Sequence, residues 1–128
     1  PVKHIDFTFP FDNNLLSSFL KVSQILKLKH HINGVYASVQ GPRLESAAEI
    51  NRYENDGANI VGMTGMPETA LAREIGLNYG LICPVANHAA GRGLNKDGVS
   101  HEEISINSEK MALNITKLIK GIIESYGN

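Results

Sequence analysis

The chain has no tryptophan, a single cysteine and no excess of charge of either sign. Each scarcity removes a class of function. Cys83 standing alone rules out an internal disulfide, and its neighbours Leu81, Ile82 and Val85 predict a buried, inert thiol in a reducing compartment, the cytoplasm. Twelve Lys and Arg against 13 Asp and Glu leave a formal net charge of -1. With no broad positive field to collect phosphate backbones or anionic lipid, neither a nucleic acid nor a membrane partner is expected. No apolar run approaches the ~20 residues that span a bilayer, and the opening "PVKHIDFTFPF" lacks the basic-then-apolar order of an export signal. Pro1 stands where a start methionine would, in the middle of an extended phrase, so further sequence upstream is expected.

What is present reads as one α/β unit. A compact chain of 128 residues buries roughly two-thirds of its extended surface, enough for a core. Residues 2 to 8 suit a strand or extended lead-in closed by Pro10. From 14 to 29, Leu15, Leu16, Phe19, Leu20, Val22, Ile25, Leu26 and Leu28 recur at helical spacing among polar residues, which predicts an amphipathic helix. "GVYASVQ" (34 to 40) is β-branched and aromatic, and Gly41-Pro42 stops it. Ser46 and Glu49 form a capping box that opens a helix running to Asp56-Gly57. The unit repeats with "NIVGMTG" (59 to 65) and a helix opened by Pro67-Glu68 and broken at Gly76. "YGLICPVAN" (79 to 87) predicts a third strand with an irregularity at Pro84. Ser100 and Glu103 open a long closing helix that ends near Tyr126 and Gly127. Alternating strands and helices imply a layered α/β fold with a largely parallel sheet, whose ligands gather beyond the carboxyl ends of the strands.

Candidate chemistry is sparse until those strand ends are reached. Five histidines do not make a metal set: "HEEIS" has Ser105 where a zincin motif needs its second histidine, so no metal is expected. "GRGLNK" lacks the third glycine of a dinucleotide loop and reads as a mobile surface loop. Asn114 to Thr116 form a sequon inside a predicted helix, with no export signal to make it relevant. At the strand ends, Glu45, Thr64, Asn87 and His101 offer an acceptor, a hydroxyl, an amide and an imidazole. Each also has a structural reading, as a first-turn acid, a cap, a turn residue and a solvated helix-start residue respectively. Taken alone they imply a small polar ligand and no more.

"HIDFTFPF", "GVYASVQGPRLESAAEI", "DGANIVGMTGMPETALAREIGLNYG" and "VANHAAGRG" together resemble the nucleoside phosphorylase family that includes trimeric purine nucleoside phosphorylases and methylthioadenosine phosphorylases. "QGPRLESAAEI", "GMTGMPE" and "NHAAGRG" look most like the bacterial S-methyl-5'-thioinosine phosphorylases within it. The resemblance implies a three-layer phosphorylase/hydrolase-like fold with a mixed, largely parallel sheet. It also implies phosphorolysis, in which inorganic phosphate as co-substrate displaces the purine from the ribosyl anomeric carbon. No metal or organic cofactor is implied. Carried onto this chain, Leu44 packs on the base face, Glu45 meets the purine N1 edge and Met63 lies along the ribose. Thr64 gives its hydroxyl to phosphate, and Asn87 meets N7 and the group at C6.

Hydrogen-bond chemistry then favours 6-oxopurines. Glu45 accepts from the N1–H of hypoxanthine and opposes the N1 lone pair of adenine. Asn87 donates to O6 and accepts from the N7–H that forms as the base leaves, an interaction that strengthens in the transition state. His101 lies fourteen residues after Asn87, where the family places a histidine near the 5'-hydroxyl. That points to inosine or guanosine, while the surrounding motifs point to methylthioinosine, the substrate this reading favours. Family members are much longer, and their amino-terminal half brings the glycine loop and further phosphate contacts. Residues 1–128 are therefore expected to be a partial domain, the carboxyl-terminal half, assembled as a homotrimer and completed by an amino-terminal half. A noncatalytic purine-binding fragment that needs a partner chain is the alternative, and an unrelated α/β binding domain is a third reading.

Overall fold

The computed structural model describes residue 2 and residues 4–126. Its elements are α1 (Asn13–Ile25), β1 (Tyr36–Ser38), α2 (Ala47–Asn55), β2 (Ile60–Gly62), α3 (Glu68–Glu74), a 3-10 turn (Gly93–Asn95) and α4 (His101–Tyr126). The expected α/β class holds. Strands β1 and β2 pair in parallel with Tyr36 opposite Ile60, Ala37 opposite Val61 and Ser38 opposite Gly62. Helix α2 connects them, the crossover that parallel strands require.

The helices start and stop where short polar and glycine signals stand. Asp12 caps α1 by accepting from the Leu15 N–H at 2.8 Å. Both halves of the Ser46–Glu49 capping box form at α2, and Ser100 Oγ accepts from the Glu103 N–H at the start of α4. Pro67 sits at the N-cap of α3, one position ahead of the helix, and Glu68 supplies the acid of its first turn. At their ends, α2 and α3 close with crossed hydrogen bonds around a left-handed glycine, Gly57 (φ 92°) and Gly76 (φ 72°).

Helix α1 departs from expectation because it stops at Ile25 instead of running to residue 29. The same crossed closure forms there, with the Leu28 N–H on the Ser23 carbonyl and the Lys27 N–H on the Gln24 carbonyl. The left-handed position is held by Lys27 at φ 54°, a residue that gives no glycine-like warning. The third expected strand, 79 to 87, is a second departure: these residues are irregular, and no ladder reaches them. Continuous apolarity signals burial without specifying a backbone partner, and Pro84 has no N–H to offer a ladder. Described residues of the 2 to 8 lead-in form no strand either, with Pro1 and Lys3 outside the described set. Helix α4 reaches Tyr126, the last described residue, and Gly127 lies outside the described set.

The core lies between α1 and α4. Val22, Leu118 and Ile122 are buried together, and Phe19, Leu28 and Ile82 pack on them. Fully burying a side chain of this size contributes about 1.5–3 kcal/mol. Gly121 permits the close crossing, since a Cβ there would stand 2.7 Å from Val22 Cγ1. The core is smaller than a 128-residue chain can build: Ile25, Ile75, Leu113 and Ile123 are each about two-thirds or more exposed. Two short strands give the helices little sheet to cover. No described helix is long and apolar enough to cross a membrane.

Candidate functional site

A cleft of about 430 Å³ runs along β2, from Ala58 to Met63 just past its carboxyl end, and touches β1 at Tyr36. One part of its wall carries Leu44 and Glu45, Met63 stands at the strand end, and another part carries Asn87 with His88 and Arg92.

The first wall is built locally. Glu49 accepts two bonds from Arg43, at 2.9 and 2.7 Å, and also accepts from the backbone N–H of Ser46 at 2.8 Å. Arg43 donates as well to the Leu44 carbonyl at 3.1 Å. A single carboxylate thus ties the Gly-Pro-Arg turn to the start of α2 and sets the path of Leu44 and Glu45. The Arg43 guanidinium first, then the Ser46 groups, hold the Glu49 carboxyl at about 2, well below its ordinary value. Arg43 is shifted up in turn by Glu49. Leu44 remains 37% exposed, an apolar shelf open to the cleft.

The strand end rests on Tyr36. Its hydroxyl oxygen accepts from the backbone N–H groups of Thr64 and Gly65, both at 3.2 Å. The ring lies so close to the β2 turn that a Cβ on Gly62 or Gly65 would come within 3.0 Å of it. Gly41 (φ 62°) plays the same part for Met63, whose Sδ would stand 2.7 Å from a Cβ at that position.

The second wall is held over long sequence separations. Arg92 donates to Asn51 Oδ1 at 2.8 Å and to Glu54 Oε2, tying this wall to α2. Asn95 is 2% exposed and donates from Nδ2 to the His88 carbonyl, while its own carbonyl accepts from the Gly91 N–H. The segment expected to be a mobile surface loop is therefore pinned by a buried side chain and an ion pair. Cys83, expected to be buried, is half-buried and lines the cleft; burial pushes its thiol up.

Leu44, Glu45, Met63 and Asn87 are brought together on this one cleft. Thr64 and His101 are not among its lining residues: Thr64 is exposed on the turn beside Met63, and His101 is the exposed first residue of α4. Sequence reasoning did not single out Tyr36, Arg92, Asn95 or Asn107. The arginine of "GRG" was the only hint, and it names no partner. Among the described residues, no group of three or more His, Cys, Asp or Glu is placed to hold a metal ion.

Comparison with known proteins gives this geometry a context. A family model described as "Phosphorylase superfamily" matches residues 1–124. The chain is 42% identical over 118 residues to a probable 6-oxopurine nucleoside phosphorylase of Moorella thermoacetica, covering 92% of this chain and 45% of that protein. It is 50% identical over 91 residues to a probable S-methyl-5'-thioinosine phosphorylase of Pseudomonas syringae pv. tomato, covering 71% and 37%. Among solved structures, methylthioadenosine phosphorylase from Schistosoma mansoni in complex with adenine superimposes with a TM-score of 0.90 at 21% identity, over 98% of this chain and 49% of that one. At that identity the likeness establishes a shared fold. The chain spans about half, or less, of the length of these proteins.

Proposed function

The chain belongs to the phosphorylase superfamily, and from that premise we propose that it forms the base- and ribose-binding half of a purine nucleoside phosphorylase acting on 6-oxopurine nucleosides. The observation that carries this reading is that Glu45 and Asn87 line one cleft, which Leu44 and Met63 line as well. Glu45 accepts from purine N1–H. Asn87 donates to O6 and accepts from N7–H, stabilising the base as it departs. Leu44 covers the base face and Met63 the ribose. Thr64, exposed on the turn beside Met63, gives its hydroxyl to inorganic phosphate, the co-substrate.

The 5' substituent is read as methylthio, supported by the likeness to S-methyl-5'-thioinosine phosphorylases. His101 argues for inosine or guanosine through its spacing from Asn87, and it stands outside the cleft wall. The chain is proposed to be the carboxyl-terminal half of the phosphorylase domain, cytoplasmic, working in a homotrimer and completed by an amino-terminal half that supplies the remaining phosphate contacts. A second reading, a noncatalytic purine-binding fragment dependent on a partner chain, is favoured by the partial coverage of its relatives.

Intact-mass measurement of the purified protein, followed by phosphate-dependent release of hypoxanthine from methylthioinosine and inosine, separates these readings. Phosphate-dependent cleavage supports the enzyme, and saturable hypoxanthine binding without cleavage supports the fragment. Comparable turnover of methylthioadenosine and methylthioinosine would defeat the 6-oxopurine assignment.

A further inference from the structure

Asn87 lies between two backbone carbonyls that are each held by another side-chain amide. Asn107, from α4, donates Nδ2 to the Ala86 carbonyl at 2.7 Å, across 21 residues of sequence. Asn95, the most deeply buried polar side chain of the 3-10 turn, donates Nδ2 to the His88 carbonyl. That same carbonyl oxygen accepts from Asn87 Nδ2 at 2.7 Å. Gly93 (φ 49°) closes the arrangement: a Cβ there would stand 2.5 Å from the His88 ring, so the turn that carries Asn95 packs directly on His88.

A carbonyl can only accept. Whichever way the Asn87 amide turns, the edge facing the His88 oxygen must be its NH2, because the opposite flip would set two oxygens against each other. An NH2 group carries two hydrogens, so one held by His88 leaves the other beside Oδ1, a donor and an acceptor side by side. We infer that Asn95 and Asn107 are positioning residues that fix the flip state of the Asn87 amide and so set the choice between a 6-oxo and a 6-amino purine. This rests on the reading of Asn87 as the group that meets purine N7 and the C6 substituent. With the flip fixed, the donor cannot exchange places with the acceptor to take a proton from a 6-amino group. Loosening either carbonyl restores that freedom.

The test is the ratio of hypoxanthine to adenine dissociation constants, measured by calorimetry on the intact protein and on its Asn87→Asp, Asn95→Ala, Asn107→Ala and Asn107→Gln variants. Asn95→Ala and Asn107→Ala are expected to erode the ratio by about tenfold, the discrimination that one mispaired polar group supplies. A residue with a merely structural part would weaken both purines alike and leave the ratio unmoved. Asn107→Gln, which keeps the donor, should return part of it. If Asn87→Asp reverses the preference while both alanine variants hold the ratio within about twofold, the inference is overturned and the assignment of Asn87 stands. If Asn87→Asp leaves the preference untouched, or the unsubstituted protein prefers neither purine, the assignment of Asn87 falls and takes the inference with it. Should Asn95→Ala lose its native circular dichroism, Asn107→Ala, at a half-buried position of α4, decides the matter alone.

Discussion

The two walls of the cleft are built on opposite plans. The wall that carries Leu44 and Glu45 is tied by a carboxylate and a guanidinium six residues apart, joined to a capping box. The wall that carries Asn87 is tied by amides and an arginine whose partners lie 7, 21 and 41 residues away. The first is charged, exposed and local. The second is mostly neutral, partly buried and assembled only when α2, the 3-10 turn and α4 are already in place. A site built this way has one wall that can be preformed by local structure and one that reports on the whole fold.

The comparison can be broken most severely at Asn87. In the intact protein, Asn87→Asp exchanges a donor for an acceptor, and the preference for hypoxanthine over adenine should shift by about 100-fold, measured as a ratio of dissociation constants. A shift below about threefold would mean that the second wall does not read the base. Next comes the contrast in stability. Asn95→Ala removes a fully buried donor and should cost about 2–3 kcal/mol in urea unfolding, the upper part of the range for a buried polar group that loses its partner. Ser46→Ala, the matching lesion in the first wall, removes a helix cap and should cost about 1 kcal/mol. Equal costs would erase the distinction drawn between the walls.

Helix α1 supplies a control away from both. Lys27→Gly relieves a left-handed lysine and should stabilise the protein by about 0.5–1 kcal/mol without changing purine selectivity.

Acid should loosen the Glu49 tie of the first wall. The Glu49 carboxyl titrates at about 2 in the folded chain against an ordinary value of 4.5. Its contribution is therefore fully present above about pH 4.5 and lost as the pH falls toward 2. Because the pair is exposed, the energetic effect is small, and the sensitive measurement is hydrogen exchange at the Ser46 amide. That amide should lose protection on acidification before Asn95 and Asn107 lose theirs, since their neutral amides have no proton to gain in this range.

The same division explains what could be read in advance. The capping box at Ser46, the Ser100 hydroxyl cap, and the stops at Gly57 and Gly76 are local hydrogen-bond chemistry written in a few adjacent residues, so helix limits were legible there. The end of α1 was not, because a lysine took the conformation that a glycine usually marks. The apolar run over 79 to 87 was misread as a strand because hydrophobicity reports what a segment faces and says nothing about which backbone it bonds. Leu44, Glu45, Met63 and Asn87 were singled out through family resemblance, and all four line one cleft. The supports of the second wall were silent because an asparagine in a loop and another on a helix carry no sign of the carbonyls they will find.

Tyr36 sets a condition on whatever enters beside it. A phenol has two lone pairs and one hydrogen, and the Thr64 and Gly65 amides already occupy both lone pairs. Any further polar atom that meets this oxygen must therefore be one that receives a proton, such as an ether, a carbonyl or an anion. An incoming ammonium or N–H would first have to displace the turn that the tyrosine holds.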